Sequence, residues 1–182
     1  MGSERAPSYR ALTMSMICNF RLTTPEELAA LEEDPEGIDD LLDEGADAET
    51  EDEPRFHDVD KAWHGLHFLL TGTAWGGEPP LNFIATGGEQ VGEIDVGYGP
   101  ARRFSAEQLT AIVRALDAIS EDALRARYVP RKMADAEIYP DGWEPSDDDD
   151  VGLGYLLEHY ASLKTFLAVG AARGLGLLVF IT

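Results

Sequence analysis

Apolar and polar positions alternate at the first patterned stretch of the chain. Met16, Cys18, Phe20 and Leu22 fall on one side, and Ile17, Asn19 and Arg21 on the other. A period of two predicts a strand with one mostly apolar face. Thr24-Pro25-Glu26-Glu27 then opens a helix: threonine can cap, proline suits the first helical position, and Glu27 completes a capping box. Leu28 and Leu31 give that helix its apolar stripe. Ile38, Leu41 and Leu42 predict a second short helix, closed by Gly45. The pattern predicts a further helix over 58–70, a loop over 75–80, and short strands over 81–86 and 91–98 with Gly87-Gly88 as a turn.

The second half is more regular. Ser105-Ala106-Glu107-Gln108 is another capping box, and Leu109, Ile112, Val113, Leu116 and Ile119 follow on one helical face. Ser120 caps a helix that Pro130 stops, with one more turn or two over 131–138. Asp147 to Asp150 stand at or before the start of the last helix, where carboxylates suit the helix dipole. Leu153, Leu156, Leu157, Tyr160, Leu163 and Leu167 carry it to Gly174. The apolar run 175–181 then reads as a strand buried on both faces. Elements thus run strand, helices, strands, helices, strand, and the first and last strands are expected to pair in one sheet. That is a single α/β (α+β) domain over 14–182, with 1–13 as a flexible extension and a mobile acidic loop at about 45–55.

Length and charge narrow the function classes. A chain of 182 residues suits one domain and buries roughly 70% of its unfolded surface. Its 35 acidic residues against 14 basic leave a net charge of −21. Phosphate binding needs clustered Lys and Arg, so neither nucleic acid nor an anionic membrane is an expected partner; a basic protein is. Cys18 is the only cysteine, which excludes an intrachain disulfide and a zinc ribbon. On the apolar face of a strand it reads as a buried, inert thiol rather than a nucleophile. No stretch has signal-peptide order, and the apolar segment 166–182 is interrupted by Arg173 and glycines, so a cytoplasmic location is the default.

The run His57 to Gly72 resembles the YfbM-like family, a domain of unknown function, in its pattern Asp-Ile/Val-Asp-Lys-x-Trp-x-x-Leu-His-x-x-Leu-Thr-Gly, here Asp58 to Gly72. Tyr98-Gly99-Pro100-Ala101-Arg102 before Phe104-Ser105, and Ile138-Tyr139-Pro140 with Trp143, are similar to two further patches of that family. So is the closing helix and strand. The likeness spans 14–182; residues before Met14 and the acidic insert 45–53 depart from it. The resemblance implies a compact fold with a mixed sheet flanked by helices. It implies no reaction, cofactor or catalytic residue.

On a helical wheel with Asp60 at zero, His64, His67 and Thr71 share a polar edge, and Val59, Trp63, Leu66 and Leu70 the core side. Asp60, His64 and His67 could serve as metal ligands or an acid–base pair, but the third-ligand spacing of a hydrolase motif is missing. The structural reading is that Asp58 or Asp60 caps the helix, Lys61 pairs with a carboxylate, and His67 makes one buried hydrogen bond. In the 98–102 turn, backbone N–H groups and Arg102 could hold an anion, or the arginine could pair locally. Trp143 and Tyr139 pin a loop or wall a pocket. No nucleophile elbow is present.

Three functions compete. The first is a non-enzymatic protein- or ligand-binding domain with an acidic surface. The second is a small-ligand or hydrolytic pocket lined by Asp58, Asp60, Lys61, Trp63, His67, Thr71, Tyr98 and Arg102. The third is a metal-dependent hydrolase on Asp60, His64 and His67. The first is favoured, with no metal and no cofactor; oligomeric state is not readable.

Overall fold

Two six-residue strands, one near each end of the described residues, lie side by side in the middle of the sheet. The computed structural model describes residues 15–47, 55–143 and 149–182. Strand β1 (Cys18–Thr23) pairs along its whole length with β5 (Gly176–Ile181), so the expected pairing of first and last strands holds. The order across the sheet is β2-β1-β5-β4-β3, with β2 Phe56–Asp58, β3 Glu89–Gln90 and β4 Arg102–Phe104. Every ladder is antiparallel. The mixed sheet is therefore corrected. An apolar run buried on both faces reports the layers above and below it, not the direction of its neighbours.

Helices cover both faces. On one side lie α1 (Pro25–Glu33) and α2 (Ile38–Asp47), and Leu28, Leu31 and Ile38 pack on Leu178 and Phe180. On the other lie α3 (Trp63–Thr71), α4 (Ala106–Asp117) and α7 (Asp149–Ala172). There Cys18, Phe20 and Leu22 from β1 and Leu177 and Val179 from β5 meet Trp63, Leu66, Leu109, Ile112, Leu156 and Leu163. Alternate residues of β5 thus enter different cores, which is why its sequence shows no alternation. Two short helices, α5 (Glu121–Arg127) and α6 (Pro130–Asp135), complete the larger layer.

The helix starts at Thr24, Ser105 and Ser120 are as the sequence predicts. Thr24 Oγ1 accepts from Glu27 N and Glu27 Oε2 accepts from Thr24 N; Ser105 and Gln108 repeat the exchange, and Ser120 caps α5. Three expectations fail. Helix α2 runs past Gly45 to Asp47, since a glycine weakens a helix without ending it. Residues 81–86 form a 3₁₀ turn (Leu81–Phe83) followed by a turn, not a strand. Residues 91–98 are largely irregular, and the strands flank them as β3 and β4. Of the acidic loop expected at about 45–55, residues 45–47 belong to α2, and 48–54 lie outside the described residues, as does the extension expected over 1–13.

Candidate functional site

The 58–72 run folds in two pieces. Asp58 Oδ1 accepts from Asp60 N at 2.9 Å, an Asx turn before the 3₁₀ turn Asp60–Ala62 that leads into α3; neither aspartate caps the helix, whose N-cap is Ala62. Asp60 itself has φ 45° and lies outside helical geometry, so a wheel anchored on it misplaces its neighbours. Its Oδ2 accepts from Tyr155 Oη at 3.0 Å, tying α7 to the turn. Burial, and then this bond to a carboxylate, pushes the Tyr155 phenol up to about 12. Among the described residues Lys61 makes no ion pair, contrary to the structural expectation.

Both histidines of α3 are buried, His64 at 2% and His67 at 0% exposure. The polar edge assigned to them is corrected: α3 is sunk in the core on nearly all sides. His64 is fully engaged. Its Nδ1 accepts from Tyr139 N at 2.9 Å, and its Nε2 lies 2.8 Å from Ala74 O, which fixes a neutral ring protonated at Nε2. The ring stacks on Trp63 at 4.8 Å and meets Trp75 at 4.6 Å. Trp63 donates from Nε1 to Met16 O at 3.2 Å and also stacks on Tyr139. The aromatic group therefore clips the start of β1 and the 138–140 turn onto α3.

His67 is different. Neither ring nitrogen has a partner of hydrogen-bond geometry. Burial, then His64 and Arg102, drive its pKa down to about 4, and only the backbone of Gly76 opposes them. Arg102 does not face a ligand. Its Nη1 donates to Phe83 O at 3.0 Å and to Gly87 O at 2.6 Å, and its Nη2 donates to Ile84 O at 2.6 Å. The guanidinium holds together the 81–87 turn and substitutes for the ladder a strand there would have made.

The glycine–proline turn is likewise occupied from within. Asp95 Oδ1 accepts from Gly97 N at 2.8 Å and Gly99 N at 2.9 Å, two bonds that hold its pKa below the usual carboxylate range. Tyr98 N donates to Ile181 O at 2.8 Å. The amides proposed for an external anion thus serve a carboxylate and a carbonyl of the chain itself. The Tyr98 ring is 43% exposed, whereas Trp63 and His67 are sealed, so these residues do not share a wall. Thr71 donates to His67 O at 2.8 Å and lines a cleft beneath α3 with Arg127 and Lys132. Cys18 is buried and its thiol is pushed up to about 12 by burial, which makes it inert as expected.

Chemically, the run positions β1, α7 and two turns around α3. The sequence signal missed was local self-satisfaction: Asp95 two and four residues before the glycines it binds, and Arg102 after a turn whose carbonyls it binds. Among the described residues, no group of three His, Cys, Asp or Glu side chains is placed to hold a metal ion. No described helix is long and apolar enough to cross a membrane.

A search of curated proteins finds no match. The crystal structure of YfbM from Escherichia coli, a protein of unknown function, is similar in fold, with a TM-score of 0.67 and 23% identity over 91% of this chain and 99% of that one. The family described as "Domain of unknown function (DUF1877)" matches residues 14–180. On that match, covering nearly all the chain, the protein belongs to the DUF1877 family.

Proposed function

We propose that the protein is a soluble, cytoplasmic, non-catalytic binding module that engages a basic protein partner through the face built by α1 and α2. The supporting observation is the distribution of charge. Glu26, Glu33, Glu36, Asp39, Asp40 and Asp43 are exposed on that face, and the stretch 22–54 contains no Lys or Arg. The nearest cations are already committed: Arg21 and Arg55 to Glu27, and Arg103 to Glu32 and Glu89. A dense, uncompensated field of one sign accelerates encounter with the opposite sign and gives salt-dependent affinity. The buried polar groups that suggested chemistry are, by contrast, mostly bonded to the chain's own backbone.

The test is affinity capture at 50 and 150 mM salt with the natural sequence and with a D39N/D40N/D43N variant. A basic protein retained in stoichiometric amount at 150 mM salt, and lost at least tenfold by the variant, is the expected result. Recovery of no basic partner even at 50 mM, or equal recovery by both proteins, would sink the reading.

A further inference from the structure

Two clefts meet at Glu89 and Gln108, beside the open edge of the sheet. The first, about 370 Å³, separates α1 from the start of α4 and is floored by Leu28 and Gly176. Its rim carries Glu32, Glu89 and Glu107 against one cation, Arg103, which donates to both Glu32 and Glu89. The second, about 460 Å³, lies between the 79–82 turn and α4 and is walled by Pro79, Pro80, Phe104, Ala111 and Ile112. Both clefts are lined by β3 residue Glu89, and β3 has no outer strand neighbour among the described residues.

We propose that this joined furrow seats an extended segment of the partner protein carrying a basic residue next to an aliphatic one. The basic side chain lies among Glu32, Glu89 and Glu107, and the aliphatic one enters the Pro80–Ile112 cleft. The inference rests on the basic-partner reading above and names the segment such a partner presents. Charge decides the occupant. Three carboxylates surround a single guanidinium that is already shared between two of them, so an anion would have to break both pairs, whereas a cation adds to them. A wholly apolar molecule would fill the second cleft and leave the first unused. The two-residue edge strand β3 has no outer neighbour among the described residues, and such an edge favours an extended peptide over a helix.

The probe is acetyl-Leu-Arg-Leu-amide, titrated into ¹⁵N-labelled protein, with acetyl-Leu-Glu-Leu-amide as the charge-reversed control. Saturable amide shifts are expected at 88–90 and 107–112, with affinity at least tenfold weaker for the control. Ala111 is exposed on α4, so A111W fills the apolar cleft without entering the core and should abolish the shifts; E107Q should weaken binding several-fold. No saturable shift, equal response to both peptides, or full binding by A111W would overturn the furrow. Shifts confined to α1 and α2 would also overturn it, while leaving the acidic-face reading standing. Peptide shifts that survive in D39N/D40N/D43N, together with partner capture that ignores those changes, would sink that reading and keep the furrow.

Discussion

His67 carries a cost that the Gly76 backbone beside it offsets only in part. Burial costs the imidazole its hydration with neither nitrogen in hydrogen-bond geometry, and His64 and then Arg102 disfavour a proton on it further. Its folded pKa of about 4 lies below the unfolded value near 6.5, so between those values the unfolded chain binds the extra proton. Stability linked to this residue is complete above pH 6.5 and is lost as pH falls toward 4, at a slope approaching about 1.4 kcal/mol per pH unit. We expect H67L to equal or exceed the natural protein in stability at pH 7. We also expect it to lose less than the natural protein between pH 6.5 and 4.5, in urea unfolding at each pH. An identical pH slope for the two would refute the assignment. Residues of this kind are where sequence reading stops. His64 and His67 sit three apart on one helix, yet one is satisfied and the other is not. The difference is made by Tyr139, 75 positions away, which no local pattern reports.

At the scale of elements, α1 is fastened by one carboxylate. Glu27 accepts from Thr24 N, from buried Arg21 and from Arg55, so a single side chain joins the cap of α1 to β1 and to the residue before β2. Burial raises its pKa, but these three partners outweigh that and leave it below the usual carboxylate range. E27Q leaves Arg21 with all its donors poorly matched, since its Nε and Nη1 have no partner even now. A loss of about 2–3 kcal/mol is expected in denaturant midpoints, discounted from a fully buried pair because Glu27 is partly exposed. R21M/E27Q should recover part of that loss, and a strictly additive double variant would contradict the coupling. Elements fixed by neighbouring residues were legible: both capping boxes, the helix starts at Ser105 and Ser120, and the two-face burial of β5. Those fixed at a distance were not. Residues 81–86 have a strand's composition but fold around the guanidinium of Arg102, and β4 is an Arg-Arg-Phe stretch that strand propensity would pass over.

For the molecule as a whole, charge is the dominant variable. With −21 spread over 182 residues, and carboxylates crowded along α1 and α2, the folded state repels itself. Salt shortens the reach of that repulsion, from about 30 Å at 0.01 M to about 10 Å at 0.1 M. The melting temperature should therefore rise by several degrees between 10 and 300 mM sodium chloride, followed by calorimetry. A melting temperature that falls over that range would mean that ion pairs such as Arg21–Glu27 and Lys164–Asp117, not the excess of carboxylates, govern stability.

The β1–β5 ladder also has a consequence in time. A ribosome delivers β1 first and the central strand β5 after every described helix, so β1 must wait, one edge unpaired, for its partner to emerge. Closing so long a loop is slow, and until then β1 has only the three-residue β2 beside it. A chain cut just before Leu175 should therefore behave as unfolded by circular dichroism and proteolysis, although it keeps every helix. Such a truncated chain would retain α1 and α2 in sequence while lacking the strand on which they pack. Nascent or broken copies would thus carry the acidic residues without the folded face that α1 and α2 build on β5.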